Sequence, residues 1–117
     1  MSYVDGFIVP VPKKNLEAYK DIARLAGKVW MEHGALSYAE CVGDDVPYGE
    51  VTSFPRSVQA TDDEVVIFSW ITYADRTARD AIVAKVMADP RLQMDPADNP
   101  FDGKRMIFGG FAAVVEL

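Results

Sequence analysis

The sequence predicts an α+β fold of the ferredoxin-like type, in which a four-stranded antiparallel sheet carries two helices on one face. In two stretches apolar residues recur at steps of three and four, which is typical of amphipathic helices. Four other stretches are short and rich in β-branched and aromatic residues, which is typical of strands. Their order is β-α-β-β-α-β, the split βαβ arrangement.

Composition limits the class of protein before any element is considered. A chain of 117 residues predicts a single domain over residues 1–117. The single cysteine excludes an internal disulfide framework and any multi-cysteine metal site. The formal charge of −6 argues against nucleic acid or an anionic membrane as a partner. The first residues lack a secretory signal and no apolar run could cross a bilayer, so we expect a cytoplasmic protein.

The first half of the chain predicts a strand, a long helix and a second strand. Residues 3–9 form the strand, which we expect to end at Pro10 and Pro12. The helix follows, and Gly34 is a suitable stop signal after it. The second strand covers residues 35–42. The stripe of the helix contains Leu16, Tyr19, Ala23, Ala26, Trp30 and His33, widened by Ile22, Leu25 and Val29.

The second half begins with an acidic connection. Residues 44–64 contain six acids and one base, a local charge of −5, and long loops of this kind are often functional or mobile. Residues 64–73 predict a third strand, and Asp75 is a suitable N-cap for a second helix that ends at Asp89 and Pro90. Residues 104–116 predict a last strand, in which Gly109 and Gly110 indicate a bulge or a close backbone approach.

The strands do not alternate cleanly between apolar and polar residues, although two helices cover only one face of the sheet. In the third strand Ile67 and Ile71 point one way, whereas Phe68 and Trp70 point the other way. Burial of even ~600 Å² of the second face would contribute ~15 kcal/mol before association costs. The pattern therefore predicts a symmetric homodimer with the two sheets packed face to face.

Eight short strings along the chain carry a resemblance to a known family. They are YVDGF at 3–7, EHGA at 32–35, ECVGDD at 40–45, VTSF at 51–54, FSW at 68–70, AKVMADPR at 84–91, PFDGKRM at 100–106 and GGF at 109–111. Together they resemble the YbaA-like bacterial family of unknown function, DUF1428, over essentially the whole length. The resemblance implies membership of the dimeric α+β barrel superfamily, in agreement with the sheet argument. It implies no reaction, because the family has no established one, and the chemistry of the wider superfamily is an analogy of fold alone.

Two residues are candidates for catalysis. His33, the single histidine, is either a general base or axial haem ligand at the end of a cavity, or a helix-terminal cation bonded to free carbonyls. Glu40 interrupts an apolar strand face, where it would carry a proton if buried, or else meet solvent or a base of a second subunit. A separation of about 17 Å along the strand makes them poor partners within one chain.

Aromatic residues and one arginine are candidates for ligand binding. An apolar pocket between helix and sheet could be lined by five aromatic residues, which could also simply be core: Trp30, Trp70, Phe68, Phe54 and Tyr38. Arg105 could neutralise an anionic substrate, or could pair with the acidic segment. No metal site and no resident cofactor are predicted.

Two functions remain open from the sequence. The first is a small-molecule-binding protein or cofactor-independent enzyme, with proton transfer or oxygen chemistry on a planar organic substrate. The second is a non-enzymatic regulatory or stress-related dimer that uses the acidic segment to recognise a partner. A closed cavity that reaches His33 would favour the first function, whereas a filled interior with His33 bonded only to helix-end carbonyls would favour the second.

Overall fold

A computed structural model describes residues 2–117, and it has the predicted order of strands and long helices, with one short α-helix and four single-turn 3₁₀ helices added. The four strands form one antiparallel sheet in the order β2-β3-β1-β4. The ferredoxin-like α+β class is confirmed. The elements are β1 (Tyr3–Pro12), α1 (Leu16–Glu32), β2 (Ser37–Val42), α2 (Phe54–Ser57), β3 (Glu64–Tyr73), α3 (Arg76–Ala88) and β4 (Ile107–Ala112).

The strand register decides which residues share each face of the sheet. Tyr3 of β1 pairs with Tyr73 of β3 and with Ala112 of β4, and Tyr38 of β2 pairs with Ile71 of β3. Because side chains alternate along a strand, one face holds the odd-numbered residues of β1 and β3 and the even-numbered residues of β2 and β4. We call this the helix face, since α1 and α3 pack on it, and we call the opposite side the open face.

The core lies between the two long helices and the helix face. One cluster joins Val29 of α1 to Ile82 and Val86 of α3, against Ile71 and Tyr73 of β3. A second cluster lies under the first half of α1 and includes Val9, Val11, Tyr19, Ala23 and Ile67. Leu25, which we expected on the buried stripe, is 40% exposed because it lies at the edge of that stripe.

Strand β1 continues through Pro10 and Pro12, three residues beyond its predicted end. The pairing of β1 with β4 stops at Ile8, so the last residues of β1 have a partner strand only on the β3 side. The N–H of Lys13 donates to the carbonyl of Asp63 on that side. By alternation the two prolines face the unpaired side, where the strand needs no N–H donor.

Strand β4 is shorter than predicted and contains no bulge. Gly109 pairs with Gly6 and Gly110 pairs with Asp5 in an unbroken register. A Cβ on Gly110 would lie 2.8 Å from the ring of Tyr3 and 2.9 Å from Nη2 of Arg79. The second of the two interpretations, a close approach, is therefore the one observed.

The predicted helix ends are confirmed at both long helices. The carboxylate of Asp75 accepts a hydrogen bond from the N–H of Ala78 at 2.8 Å, which caps the start of α3. Gly34 follows α1 with a φ of +115°, a backbone conformation that favours glycine. Within residues 2–117 no helix is long and apolar enough to cross a membrane.

The open face carries large apolar side chains and is covered at one end only. Phe54 of α2 packs edge-on against Phe68 of β3, with ring centroids 5.8 Å apart. Elsewhere Ile107 and Phe111 of β4 are 43% and 63% exposed. The acidic connection therefore shelters part of this face, and the rest is available for contact with another molecule.

Candidate functional site

A glutamate held by two tyrosines is the centre of the candidate site. Glu40 lies on the helix face of β2, where it pairs with Ser69 of β3. One carboxylate oxygen accepts a hydrogen bond from the hydroxyl of Tyr19 on α1, and the other accepts one from the hydroxyl of Tyr38, each at 2.5 Å. The carboxylate is thus fixed between the helix, which supplies the Tyr19 hydroxyl, and the sheet, which supplies the Tyr38 hydroxyl.

Both tyrosines remain protonated at neutral pH. Burial raises the pKa of the Tyr19 hydroxyl far above its usual range, and the hydrogen bond to Glu40 raises it further. The pKa of Tyr38 is raised for the same reasons, in the same order. Each phenol is therefore a hydrogen-bond donor to the carboxylate rather than a charged partner.

Two cavities meet at Glu40. The larger has a volume of about 500 Å³ and opens beside α1, over Val42 and Ile67 of the sheet. The smaller, of about 210 Å³, lies between α1 and the middle of the sheet, and Phe7 and Trp30 are among its lining residues. Tyr19, Ala23, Tyr38 and Glu40 line both. Among the α1 residues, the small Ala23 and Gly27 line the larger cavity, and Ala23 and Ala26 line the smaller one.

Gly27 allows Tyr38 to reach its position. A Cβ at Gly27 would lie 2.8 Å from Cδ1 of the Tyr38 ring, closer than such atoms approach. Glycine in a helix interior costs about 1 kcal/mol relative to alanine. The helix therefore gives up intrinsic stability at the point where the ring of Tyr38 packs against it.

Trp30 forms part of the wall of the smaller cavity and begins a buried polar chain. Its Nε1–H donates to the hydroxyl of Tyr73 at 3.0 Å, and that hydroxyl donates to Asp5 at 2.9 Å. Arg79 donates to the other oxygen of Asp5 at 3.0 Å and to the hydroxyl of Tyr3 at 3.1 Å. Since Asp5 is only 6% exposed, this chain compensates a buried charge and fixes Trp30.

His33 lies outside the candidate site. Its Nε2 is 3.0 Å from a carboxylate oxygen of Asp89, a buried residue just after α3, so the ring bonds a side chain rather than helix-end carbonyls. Hydrogen bonds from Arg91, and then from His33, lower the pKa of Asp89 well below its usual range. Arg91 also pairs with Glu32 at 2.7 Å, so the cluster ties the ends of α1 and α3 together.

The structure keeps His33 and Glu40 apart. This agrees with the separation along the strand that the sequence predicts. His33 lines none of the described cavities, whose walls centre on Glu40 or on the open face. A haem needs open apolar space beside its axial ligand, and none of the three described cavities provides it at His33. Neither outcome expected for His33 is therefore observed: no described cavity reaches it, and its ring bonds a side chain, whereas the cavities that are present reach Glu40.

The expected shared pocket of five aromatic residues is wrong for three of them, Trp70, Phe68 and Phe54. Trp30 and Tyr38 do line the smaller cavity, with ring centroids 6.2 Å apart. Trp70 lies on the open face, because it occupies an even-numbered position of β3. Phe54 is on the same side, where it lines a separate cavity of about 310 Å³ with Phe68.

Arg105 also lies away from the cavity, and the interpretation that pairs it with the acidic segment is the one observed. It bonds Glu64 at 2.6 Å and Asp102 at 3.0 Å. The hydrogen bond from Arg105 lowers the pKa of Glu64 to about 2. This pair joins the start of β3 to the turn before β4, and it is structural.

Two residues of the site were missed from the sequence. Tyr19 was placed on the buried stripe of the first helix, but nothing in the sequence paired it with Glu40, 21 positions away. Gly27 gave a usable signal, because an isolated glycine inside a helical pattern usually has a packing reason. Within residues 2–117 no group of three histidine, cysteine or acidic side chains is placed to hold a metal ion.

The fold and the cavity define an α+β protein with a carboxylate site between helix and sheet, and comparison with known proteins gives its family. The chain belongs to the family described as "Protein of unknown function (DUF1428)", whose model matches residues 2–103. The predicted family is thereby confirmed, and the function of that family is unknown.

Individual relatives are bacterial. Over 116 residues the chain is 47% identical to "Uncharacterized protein YbaA" of Escherichia coli strain K12 and of Shigella flexneri, with 99% of each chain covered. Among solved structures, a de novo designed protein, Foldit4, matches 99% of this chain and 100% of its own at a TM-score of 0.47 and 9% identity.

Proposed function

We propose that this protein binds a small organic molecule in the cavities between α1 and the sheet, and that Glu40 accepts a hydrogen bond or a proton from it. The observation that carries the proposal is the carboxylate of Glu40, fixed by two phenols at the junction of the two cavities. A cavity of about 500 Å³ is of the size that small-molecule sites have.

The arrangement suits proton transfer from a carbon or oxygen acid. Glu40 takes the proton, and the electron pair of the broken C–H bond moves to a neighbouring carbonyl to give an enolate. Once Glu40 is protonated, Tyr19 or Tyr38 can turn its hydroxyl toward the enolate oxygen. Positioned general bases of this kind typically contribute 10²- to 10⁴-fold to a rate.

A neutral fluorescent probe tests the binding site. N-phenyl-2-naphthylamine has an apolar body with one N–H donor, and its fluorescence rises in apolar surroundings. We expect it to bind the wild-type protein, to bind Glu40→Gln more weakly, and to lose binding in Ala23→Leu, which adds three carbons at a position that lines both cavities. Ala81→Leu, the same change on the exposed side of α3, serves as the control. Equal binding by Ala23→Leu and Ala81→Leu would place the probe elsewhere and contradict the proposal.

The proton-transfer step has its own assay. A panel of aryl methyl ketones and 1,3-diketones is incubated in D₂O, and loss of the α-hydrogen signal is followed by NMR. We expect the wild-type protein to accelerate exchange of at least one ketone, and Glu40→Gln to remove the acceleration. Probe binding without any exchange would leave a binding protein and exclude this chemistry for the panel.

We further propose that the open face packs against the open face of a second copy. Support comes from the exposed apolar side chains of Phe68, Ile107 and Phe111 on the side without long helices. Contiguous apolar patches of this kind on a protein surface mark interaction sites. The catalytic proposal does not depend on the dimer, because Glu40 and both of its tyrosines belong to one chain.

A further inference from the structure

The mouth of the larger cavity carries a row of positive charge. Lys20, Arg24 and Lys28 all line it, at steps of four residues along α1. Residues four apart lie on one side of a helix, so the row extends about 12 Å along the helix axis. Glu40 is the single acid in the lining, so three cations against one carboxylate give these walls a net charge of +2.

This row stands out because the whole chain carries a charge of −6. Lys20 pairs with Glu17 at 3.1 Å and Arg24 pairs with Asp21 at 3.2 Å, both within α1 and on its exposed side. Exposed pairs of this kind contribute little to stability, so either cation can turn to a ligand at small cost. Lys28 makes no ion pair with any residue in the described part of the chain.

The remaining walls of the cavity are apolar. Ala23 and Gly27 face it from the helix, while Val42 and Ile67 face it from the sheet. A small inorganic anion would leave this surface uncovered, and a neutral hydrocarbon would make no use of the cations. An organic acid fits both parts, with its body in the cavity and its acidic group at the row.

We infer that the ligand of this site is an organic anion, with its acidic group at Lys20, Arg24 and Lys28 and a hydrogen-bond donor of its apolar body at Glu40. This inference rests on the proposed binding site and adds the charge class of its ligand. Phosphate alone, lacking the apolar body, should not compete for the site.

A matched pair of dyes tests the inference. The sulfonate 6-anilinonaphthalene-2-sulfonate differs from N-phenyl-2-naphthylamine by its anionic group alone. We expect the wild-type protein at low salt to bind the sulfonate about tenfold more tightly, and high salt to reduce this preference. Lys28→Met should lower the ratio of sulfonate affinity to neutral-dye affinity about fivefold, the scale of one exposed ion pair. Arg24→Met combined with Lys28→Met should remove the preference.

The control is Lys85→Met on α3, which makes the same change in total charge at an exposed position that lines none of the described cavities. Equal affinity of the two dyes for the wild-type protein, or an equal effect of Lys28→Met and Lys85→Met, would overturn the inference. In either case, if the wild-type protein still binds the neutral dye and Ala23→Leu does not, the proposed binding site remains supported. Loss of both dyes would mean that the proposed site itself is wrong.

Discussion

At the scale of residues, the site depends on two hydrogen bonds that hold the carboxylate of Glu40. Each of its oxygens receives one hydroxyl, from Tyr19 and from Tyr38. The sequence predicted which strand face holds Glu40 and which helix stripe holds Tyr19. It could not predict their hydrogen bond, because that depends on how α1 is placed and rotated over the sheet, and a periodicity does not specify this.

Removal of one of the two tyrosine hydroxyls should therefore destabilise the fold. In Tyr19→Phe one oxygen of a partly buried carboxylate loses its donor, and we expect a loss of about 2 kcal/mol in the free energy of unfolding, measured with urea. Tyr48→Phe, at an exposed tyrosine, is the control and should change it by less than about 0.5 kcal/mol. Equal values for the two variants would show that the hydrogen bond to Glu40 contributes nothing.

At Gly27 we expect substitution by alanine to change stability in the direction opposite to that expected from helix propensity. Alanine in place of a helical glycine normally stabilises by about 1 kcal/mol. We expect Gly27→Ala to destabilise instead, by about 1–3 kcal/mol, because its Cβ would overlap the ring of Tyr38. Thermal unfolding measures the sign. An increase in melting temperature would mean that Tyr38 is not held against α1.

At the scale of elements, strand ends were harder to predict than strand existence. Residues 64–73 were predicted with the bounds that the structure has. Strand β1 extends beyond its predicted end because its two prolines face a side that has no partner strand. The local sequence does not show which side of a strand will be paired. Trp70 is a different case, because alternation along β3 already predicts that its side chain points away from Ile67 and Ile71 and therefore away from a pocket on their face.

The two adjacent glycines of β4 provide a matched test of its position. Gly110→Ala should destabilise by about 1–3 kcal/mol, because the new Cβ would overlap Tyr3 and Arg79. At Gly109 a Cβ would only touch the ring of Phe111 at 3.6 Å, an ordinary contact. Gly109→Ala should therefore be close to neutral in urea unfolding. A reversed order would place β4 in another register.

The ion pair between Glu64 and Arg105 predicts an acid dependence. Arg105 lowers the pKa of Glu64 from its ordinary value of 4.5 to about 2. Because the folded-state pKa is the lower one, the pair contributes fully above about pH 4.5, and its contribution disappears as the pH falls toward 2. The stability difference between wild type and Arg105→Met should shrink over that window, measured by urea unfolding at several pH values. A pH-independent difference would contradict this; Lys104→Met, the exposed neighbour, is the control.

At the scale of the whole molecule, the open face is the side of the sheet that no layer of long helices covers. The thinnest dimension of the chain is 20 Å, which corresponds to one sheet and one layer of helices. The missing alternation predicted apolar residues on both faces, and both faces have them. What covers the second face is not encoded locally, because a partner copy and a solvent-exposed patch share the same pattern.

The proposed dimer makes a prediction about mass. Light scattering at low micromolar concentration should give about twice the chain mass of 12.9 kDa. Phe111→Lys, which places a charge on the open face, should shift the protein toward the monomer. Leu36→Lys changes a similarly exposed apolar residue outside that face and should leave the mass unchanged. A wild-type monomer would refute the dimer without affecting the cavity.

The most direct test of the carboxylate site is to locate a bound ligand by NMR. With N-phenyl-2-naphthylamine present, we expect intermolecular nuclear Overhauser effects from the dye to the methyl groups of Ala23 and Ile67, which line the larger cavity. Effects confined to Val4 and Ile107 on the open face, with none to Ala23 or Ile67, would contradict the account.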